Sequence, residues 1–419
     1  VENPLRRKAQ QIVEYCIEQV QPKAAVQRAL EQFVPMFSPE GKTVIIAVGK
    51  AAWSMAQAAV EQLQTGGRCK NSLSGVVITK YNHSKGELPG LRIFEAGHPV
   101  PDQAGFAATA QALCAVENLT ERDQVLFLLS GGGSALFEQP LIPAEELQDI
   151  TAQLLACGAD IVEINTVRKR LSGVKGGRFA LHCVPARVYS VVLSDIVGDP
   201  LDSIASGPAY PDATTCETAG AVVKKYQLKI SQKAKECLAE ETPKSLDNVI
   251  TVITGSVRQL CAAAADACIK LGYRPILLTD CLTCQAREAG SFLASCARSY
   301  AGKGEKVALI AGGETVVKLT GKGLGGRNQE LALAAAAGIA GLANTAVFSL
   351  GSDGTDGPTD AAGGYADGMT ESRLTAKGWQ IVQTLQDNDA YHALQAVDGL
   401  LMTGPTGTNV NDVAVALTE

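Results

Sequence analysis

Short runs of β-branched and other apolar residues, each closed by a glycine-containing turn and followed by a longer alanine-rich stretch of helical spacing, recur through the first half of the chain. TVIIAVGK (43–50) leads into AAWSMAQAAVEQL, VLFLLSGGGS spans 125–134 and VYSVVLSD spans 188–195. Unbroken apolar runs suit strands covered on both faces, so the repeat predicts βα units around a parallel sheet. The pattern restarts after TPKSLDN with VITVITGS (249–256), PILLTD (275–280) and KVALIAGGE (306–314). Toward the end, TVVKL, AVFSLGSD and NDVAVAL alternate with glycine-rich loops and few helices, which predicts a mixed sheet. The expected class is therefore α/β, with a parallel-sheet domain over 1–240 and a smaller domain over 241–419.

Composition narrows this picture. A chain of 419 residues, 46% hydrophobic, exceeds the size at which a single core usually stops growing, so two domains are expected. A formal net charge of −6 argues against general attraction to nucleic acid or to an anionic membrane surface. Cys114, Cys157, Cys261 and Cys268 lie in apolar periodic stretches and read as buried small hydrophobes in a reducing compartment. The lone CxxC, Cys281 to Cys284, has no second pair, and the four histidines lack zinc-like spacing. The opening VENPLRRKAQQIVEYCIEQV reads as an amphipathic helix rather than a secretory signal, and LALAAAAGIAGL (331–342) is too short to span a bilayer. A soluble, cytoplasmic protein acting on small molecules is expected.

Ligands of open α/β sheets bind beyond the carboxyl ends of the strands, so the residues just after each apolar run carry the information. These are Gly49-Lys50, Ser130 to Ser134, Ser194-Asp195, Gly255-Ser256, Gly312-Gly313-Glu314, TGKGLGGRNQE (320–330) and SLGSDGTDGPTDAAGG (349–364). Three glycines bracketed by serines let backbone N–H groups approach an anion, and the same residues suit a tight strand-to-helix connection with no ligand. The segment is no GxSxG elbow, because Ala135 and Leu136 follow Ser134. Lys50 stands at a strand-to-helix junction without P-loop spacing. GKGLGG (321–326) formally matches GxGxxG, yet residues 331–351 hold no Asp or Glu to bind ribose hydroxyls, which disfavours a nicotinamide site. The loop instead brings Lys322 and Arg327, cations suited to a polyphosphate.

Asp195, Asp353, Asp356 and Asp360 lie in loops after apolar strands; carboxylates there serve Mg²⁺, a general base, or simple Asx turns. Arg168, Lys169, Arg170, Lys175 and Arg178 form a basic stretch in an acidic protein, fit for a solvated helix end or for an anionic substrate. His98, between prolines in AGHPVPD, is equally a turn residue or a substrate contact.

Taken in order, GKAAWSMA, AGHPVPD, LSGGGSALFEQP, NTVRKRLSGVKGGRFA, LSDIVGDPLDSIASGP, GGETVVKLTGKGLGGRNQE and SLGSDGTDGPTDAAGG resemble the class II glycerate kinases (glycerate 2-kinases), whose C-terminal half carries the MOFRL domain. The resemblance implies a Rossmann-like parallel-sheet N-terminal domain and a smaller α/β C-terminal domain with a mixed sheet, with the active site in the interdomain cleft. It implies transfer of the ATP γ-phosphoryl group to D-glycerate with Mg²⁺, giving 2-phosphoglycerate. The alternatives are an NAD(P)H-dependent hydroxypyruvate reductase and a non-catalytic nucleotide- or sugar-phosphate-binding regulator. Lys50 and Arg327 match the family's suspected catalytic cations, and Asp195 joins them as metal ligand or proton acceptor. Ser130, Gly131, Gly132, Gly133, Ser134, Glu314, Gly323, Gly325, Gly326 and Asn328 are the expected nucleotide-binding residues, and Asp195, Asp353 and Asp356 the expected metal ligands. Candidate groups split between the halves are expected to meet on domain closure. The partners are ATP and D-glycerate, with no nucleic acid or membrane, and a homodimer is compatible with the sequence.

Overall fold

The computed structural model describes residues 3–65 and 73–419. Its strands form two six-stranded sheets. The first contains β1 (Thr43–Val48), β2 (Leu73–Lys80), β3 (Leu91–Ala96), β4 (Gln124–Leu129), β5 (Arg187–Leu193) and β6 (Val249–Gly255) in the order β3-β2-β1-β4-β5-β6. β1 runs parallel to both β2 and β4, and the pairs β2–β3 and β4–β5 are parallel as well. All six residues of β1 and of β4 are buried, as expected for runs of apolar residues with helices on both faces. In this order the sheet grows outward in both directions from the β1/β4 pair, and Val48 and Leu129 stand opposite each other at its carboxyl edge. The crevice beyond such a reversal is where doubly wound sheets hold ligands.

The second sheet contains β7 (Arg274–Leu282), β8 (Val307–Gly313), β9 (Thr345–Gly351), β10 (Gly363–Asp367), β11 (Leu400–Leu401) and β12 (Asp412–Thr418), ordered β11-β10-β9-β12-β8-β7. It is mixed, as the sequence predicts: β7 and β8 are parallel, and the remaining neighbours are antiparallel. The last strand of the chain is inserted between β8 and β9. Its first residue, Asp412, therefore lies at the carboxyl edge of both neighbours, opposite Gly313 and Gly351.

The chain divides into two compact units, Val26–Leu193 with Asp199–Thr254, and Gly255–Glu419 with Val1–Ala25 and Ser194–Gly198. Besides the Ser194–Gly198 segment, this differs from a single break near residue 240 in two respects. β6, the strand at which the sequence pattern restarts, adds to the first sheet, where Val188 N–H donates to the Asn248 carbonyl at 2.8 Å. The first helix, Pro4–Gln19, starts on an Asn3 cap with proline in its first turn, and buries Ala9, Ile12, Val13 and Cys16 in one core with Val257, Cys261, Ala264 and Cys268. On the second sheet, Ile310, Phe348, Val413 and Val415 face that core, while Leu309, Val347, Ala414 and Ala416 face helices Ala286–Tyr300 and Arg327–Gly338. The stripe on the first helix shows that it must be buried, but not against which sheet.

Among the described residues no helix is long and apolar enough to cross a membrane. Cys261 and Cys268 are buried, whereas Cys114 and Cys157 are exposed, contrary to the sequence reading. Helical periodicity placed the last two near apolar stripes without putting them on the buried side.

Candidate active site

At the carboxyl edge of β1 and β4 the backbone is knitted together. Lys50 N–H donates to the Gly131 carbonyl at 2.9 Å, Ala51 N–H to Ser130 Oγ at 3.1 Å, and Ser130 Oγ–H to the Val48 carbonyl at 3.3 Å. Ser130 is only 3% exposed. Its hydroxyl thus ties two strand ends together, a different role from the phosphate contact expected of it. Gly132 has φ +87°, and a Cβ there would lie 3.0 Å from His98 Cδ2, 3.1 Å from His98 Nε2 and 3.3 Å from Lys50 Cγ. Glycine is required at this position both for the left-handed backbone and for the approach of two side chains. Lys50, exposed, and His98, half-buried, therefore flank the middle glycine of SGGGS. Burial, then the charges of Lys50, Lys80 and His83, lower the His98 pKa and favour a neutral imidazole.

The other side of the same turn meets a loop whose residues the sequence reading left unassigned. Ala205 (φ 50°), Ser206 (φ 60°) and Gly207 (φ 64°) are consecutive left-handed residues, two of them not glycine. Such positions cost about 1 kcal/mol or more each and persist where surrounding structure dictates them. Here the strained loop carries Ala205 against Gly133, where a Cβ would fall 2.7 Å from the alanine methyl, and brings Ser206 Oγ to 3.1 Å from Ser134 Oγ. Ser206 donates in turn to Asn165 Oδ1 at 3.1 Å. The sequence signal was ASGP, a small-residue turn before proline, with nothing in it to point to Ser134.

The basic stretch behind this turn separates into distinct roles. Lys169 and Arg170 are buried on Asp212, at 3.2 and 3.5 Å, and Arg170 also reaches Glu241. Arg178 donates to the carbonyls of Lys169, Arg170 and Ser172 at the end of helix Ile161–Arg170. Lys175 donates to the Ser134 and Phe137 carbonyls at 2.9 and 2.8 Å and lies 3.4 Å from buried Glu138. Arg168 reaches the Ser134 carbonyl through Nη2 at 3.3 Å.

In the second unit, Arg327 opens helix Arg327–Gly338. It grips Asp412 through Nε (2.5 Å) and Nη2 (3.1 Å) and reaches Glu314 through Nη1 at 2.7 Å. Burial works to lower the guanidinium pKa, but the Asp412 and Glu314 carboxylates outweigh it and hold Arg327 firmly charged. Burial raises Asp412 to about 6 despite the Arg327 fork, and the nearby Asp356 charge adds to the rise. Asp412, absent from the sequence-based set, is thus the principal partner of an expected catalytic cation.

Asp356 departs from its expected place as a metal ligand. Its Oδ1 accepts from Asn328 N and Nδ2 at 3.1 and 3.2 Å, and its Oδ2 from Gln329 N at 2.8 Å, so it caps a helix whose own N-cap residue, Gly326, has no side chain to do so. Asn328, 1% exposed, is held between Asp356 and Ser349, and so faces the interior rather than a nucleotide. The GKGLGG loop is likewise engaged internally. Gly321 and Leu324 N–H donate to Asn388 and Asp389 side chains at 2.9 and 3.0 Å, and Gly323 N–H to the Asp387 carbonyl at 2.7 Å. Cβ atoms on Gly323 and Gly326 would fall 2.4 Å from Asp389 Cβ and 2.2 Å from Asp356 Cγ, and one on Gly325 would crowd Ala390. Close packing therefore accounts for these three glycines without an anion. Asp353 is half-buried and turns its Oδ1 to Thr355 N–H at 3.0 Å, and Asp195 is half-buried in the Ser194–Gly198 segment. Among the described residues no group of three or more His, Cys, Asp or Glu side chains is placed to hold a metal ion.

A family model described as Domain of unknown function (DUF4147) matches residues 8–239, and the MOFRL family model matches 307–412. The chain is 48% identical to the D-glycerate 2-kinase of Thermotoga maritima, covering 99% of this chain and 98% of that one, and 40% identical to the glycerate 2-kinase of Pyrococcus horikoshii, covering 91% and 88%. Two Agrobacterium vitis relatives provisionally named as hydroxypyruvate reductases are 36% and 39% identical. The crystal structure of a glycerate kinase from Thermotoga maritima superposes with a TM-score of 0.93 at 48% identity, covering 99% of each chain. With identity of 48% over nearly the whole of both chains, the same fold and the MOFRL match in the C-terminal half, the chain belongs to the class II glycerate kinase family.

Proposed function

We propose that the protein transfers the γ-phosphoryl group of ATP to the 2-hydroxyl of D-glycerate, giving 2-phosphoglycerate and ADP. The observation that carries this reading is the meeting of Lys50 with the Gly131–Gly133 turn at the sheet crossover, in a chain 48% identical to a D-glycerate 2-kinase over nearly its whole length. Phosphoryl transfer asks the protein for positioning and for cancellation of charge on the transferring group, not for a nucleophile. Lys50, exposed beside a backbone stripped of side chains, suits the second task, and Arg327 is held charged for the same purpose by Asp412 and Glu314.

Mg²⁺ takes hard oxygen donors, commonly one or two carboxylates with phosphate oxygens and water. Asp195 and Asp353 fit that requirement. Asp356 does not, because three donors engage its oxygens. Bound with the nucleotide, the ion would neutralise phosphate charge.

The reductase reading loses its one sequence support, since the GxGxxG match packs against residues 387–390. The test is an NMR spectrum of the product from D-glycerate, ATP and Mg²⁺. A phosphorus-coupled C2 is expected; oxidation of NADH by hydroxypyruvate, with no ADP from glycerate, would overturn the proposal.

A further inference from the structure

The five basic residues of 168–178 differ in what balances them. Lys169 and Arg170 have Asp212, and Lys175 has Glu138. Arg178 is held by three carbonyls at a helix end. Arg168 has one carbonyl contact, a buried Nε with no hydrogen-bond partner, and no carboxylate within ion-pair distance among the described residues. Around Ser134, Arg168 and Lys175 thus face a single buried carboxylate, Glu138, whose oxygens also lack hydrogen bonds. Burial lowers the pKa of both cations, Lys175 to about 8, with Glu138 opposing the shift in each case. An excess of buried positive charge is costly unless an anion completes it.

Resting on the kinase reading above, we infer that the Ser134 side of the SGGGS turn is the subsite for the carboxylate of the acceptor, with Arg168 as its cation, Ser134 as its hydroxyl donor and the buried Ser206 behind Ser134 as a positioning residue. Three observations converge. The planar guanidinium fork matches a carboxylate, the one anionic group of glycerate. Ser134 is half-buried beside the fully buried Ser206, whose proton goes to Asn165 Oδ1, so Ser206 fixes the place of the Ser134 oxygen while the Ser134 O–H is free to turn from Ser206 to an incoming carboxylate. The strained Ala205–Ser206 backbone holds that chain against the turn. On the opposite side of Gly132, Lys50 and His98 are left for the phosphoryl end. One glycine turn would then separate the two anions of the reaction, and an acceptor without a carboxylate would be a poor substrate.

The experiment compares wild type with Arg168→Gln, Arg168→Lys and Ser134→Ala, reading KM for D-glycerate, KM for ATP and the thermal shift given by D-glycerate or by glycerol. Loss of a charge-assisted pair should raise KM for D-glycerate about 10–100-fold in Arg168→Gln, with KM for ATP within about threefold. The glycerate-induced shift should disappear, and glycerol should give none even in wild type. Arg168→Lys, which keeps the charge and loses the fork, should fall in between and guards against a glutamine variant that fails to fold. A KM for D-glycerate that stays unchanged in both Arg168 variants, or a parallel rise in KM for ATP, overturns the assignment. Wild-type turnover of glycerate is measured alongside, so failure of the kinase reading shows as absent wild-type product, independent of the variants.

Discussion

SGGGS at 130–134 and GKGLGG at 321–326 look alike on paper: each follows an apolar β-branched run, precedes a helix and is rich in glycine, although the run before the second, TVVKL, forms only an isolated bridge at Val316. In the folded chain they are used for opposite ends. The first leaves Gly131 and Gly132 half-exposed among Lys50 and His98, and its third glycine admits the Ala205 methyl. The second presses its glycines onto Asp356 and the 387–390 segment and gives its amides to Asn388, Asp387 and Asp389. Glycine removes a side chain in both, but in one the space admits other groups at a sheet crossover and in the other it is filled by the protein's own backbone. A glycine motif therefore reports close approach, and only the neighbours say of what.

The largest test of this contrast is Lys50→Ala. Removing a transition-state cation should lower kcat by about 10²–10³-fold, or about 3–4 kcal/mol, in a coupled ADP-release assay. An unchanged rate would take Lys50, and with it the SGGGS turn, out of the mechanism.

Next comes the pH dependence of the Arg327 side. Asp412 is raised from 3.8 to about 6, so between those values the folded state holds a proton that the unfolded chain has released. Its contribution to stability is complete below about pH 4 and is lost as the pH rises through about 6. Relative to Asp412→Asn, the wild type should lose about 2–3 kcal/mol of unfolding free energy between about pH 4 and pH 7, read from denaturant midpoints. A flat difference would mean that the Arg327 fork cancels the effect of burial.

Gly326→Ala should cost about 2 kcal/mol, because its methyl would enter the Asp356 carboxylate, while leaving KM for ATP unchanged in the folded fraction. A large rise in that KM with stability intact would return the loop to the nucleotide. The smallest effect is expected for Asp356→Asn, about 1 kcal/mol of stability from a weakened helix cap, with the Mg²⁺ dependence of kcat unmoved. A shifted Mg²⁺ optimum would restore Asp356 as a metal ligand.

Much of the fold was legible. The apolar runs at 43–48, 124–129 and 187–193 are strands of one parallel sheet, and the C-terminal runs form a mixed one. Lys50 and SGGGS could be read as a site because a parallel βα unit always brings its post-strand residues to one edge. Asp412 could not. It precedes an ordinary apolar strand, and it reaches Arg327 only because that strand enters between β8 and β9 in the antiparallel sense. Ser206 and Asn165 were hidden for a similar reason, since their contact with Ser134 depends on a left-handed turn that two non-glycine residues adopt only under tertiary constraint.

By itself the sequence determined the period of each element, its buried face and the chemistry available after each strand, because these follow from local spacing and residue type. The tertiary structure decided which strand stands beside which, which sheet covers the first helix, and whether a glycine faces a lysine or a neighbouring loop. Those outcomes depend on contacts between residues far apart in the chain, such as Arg327 with Asp412 and Ser134 with Ser206.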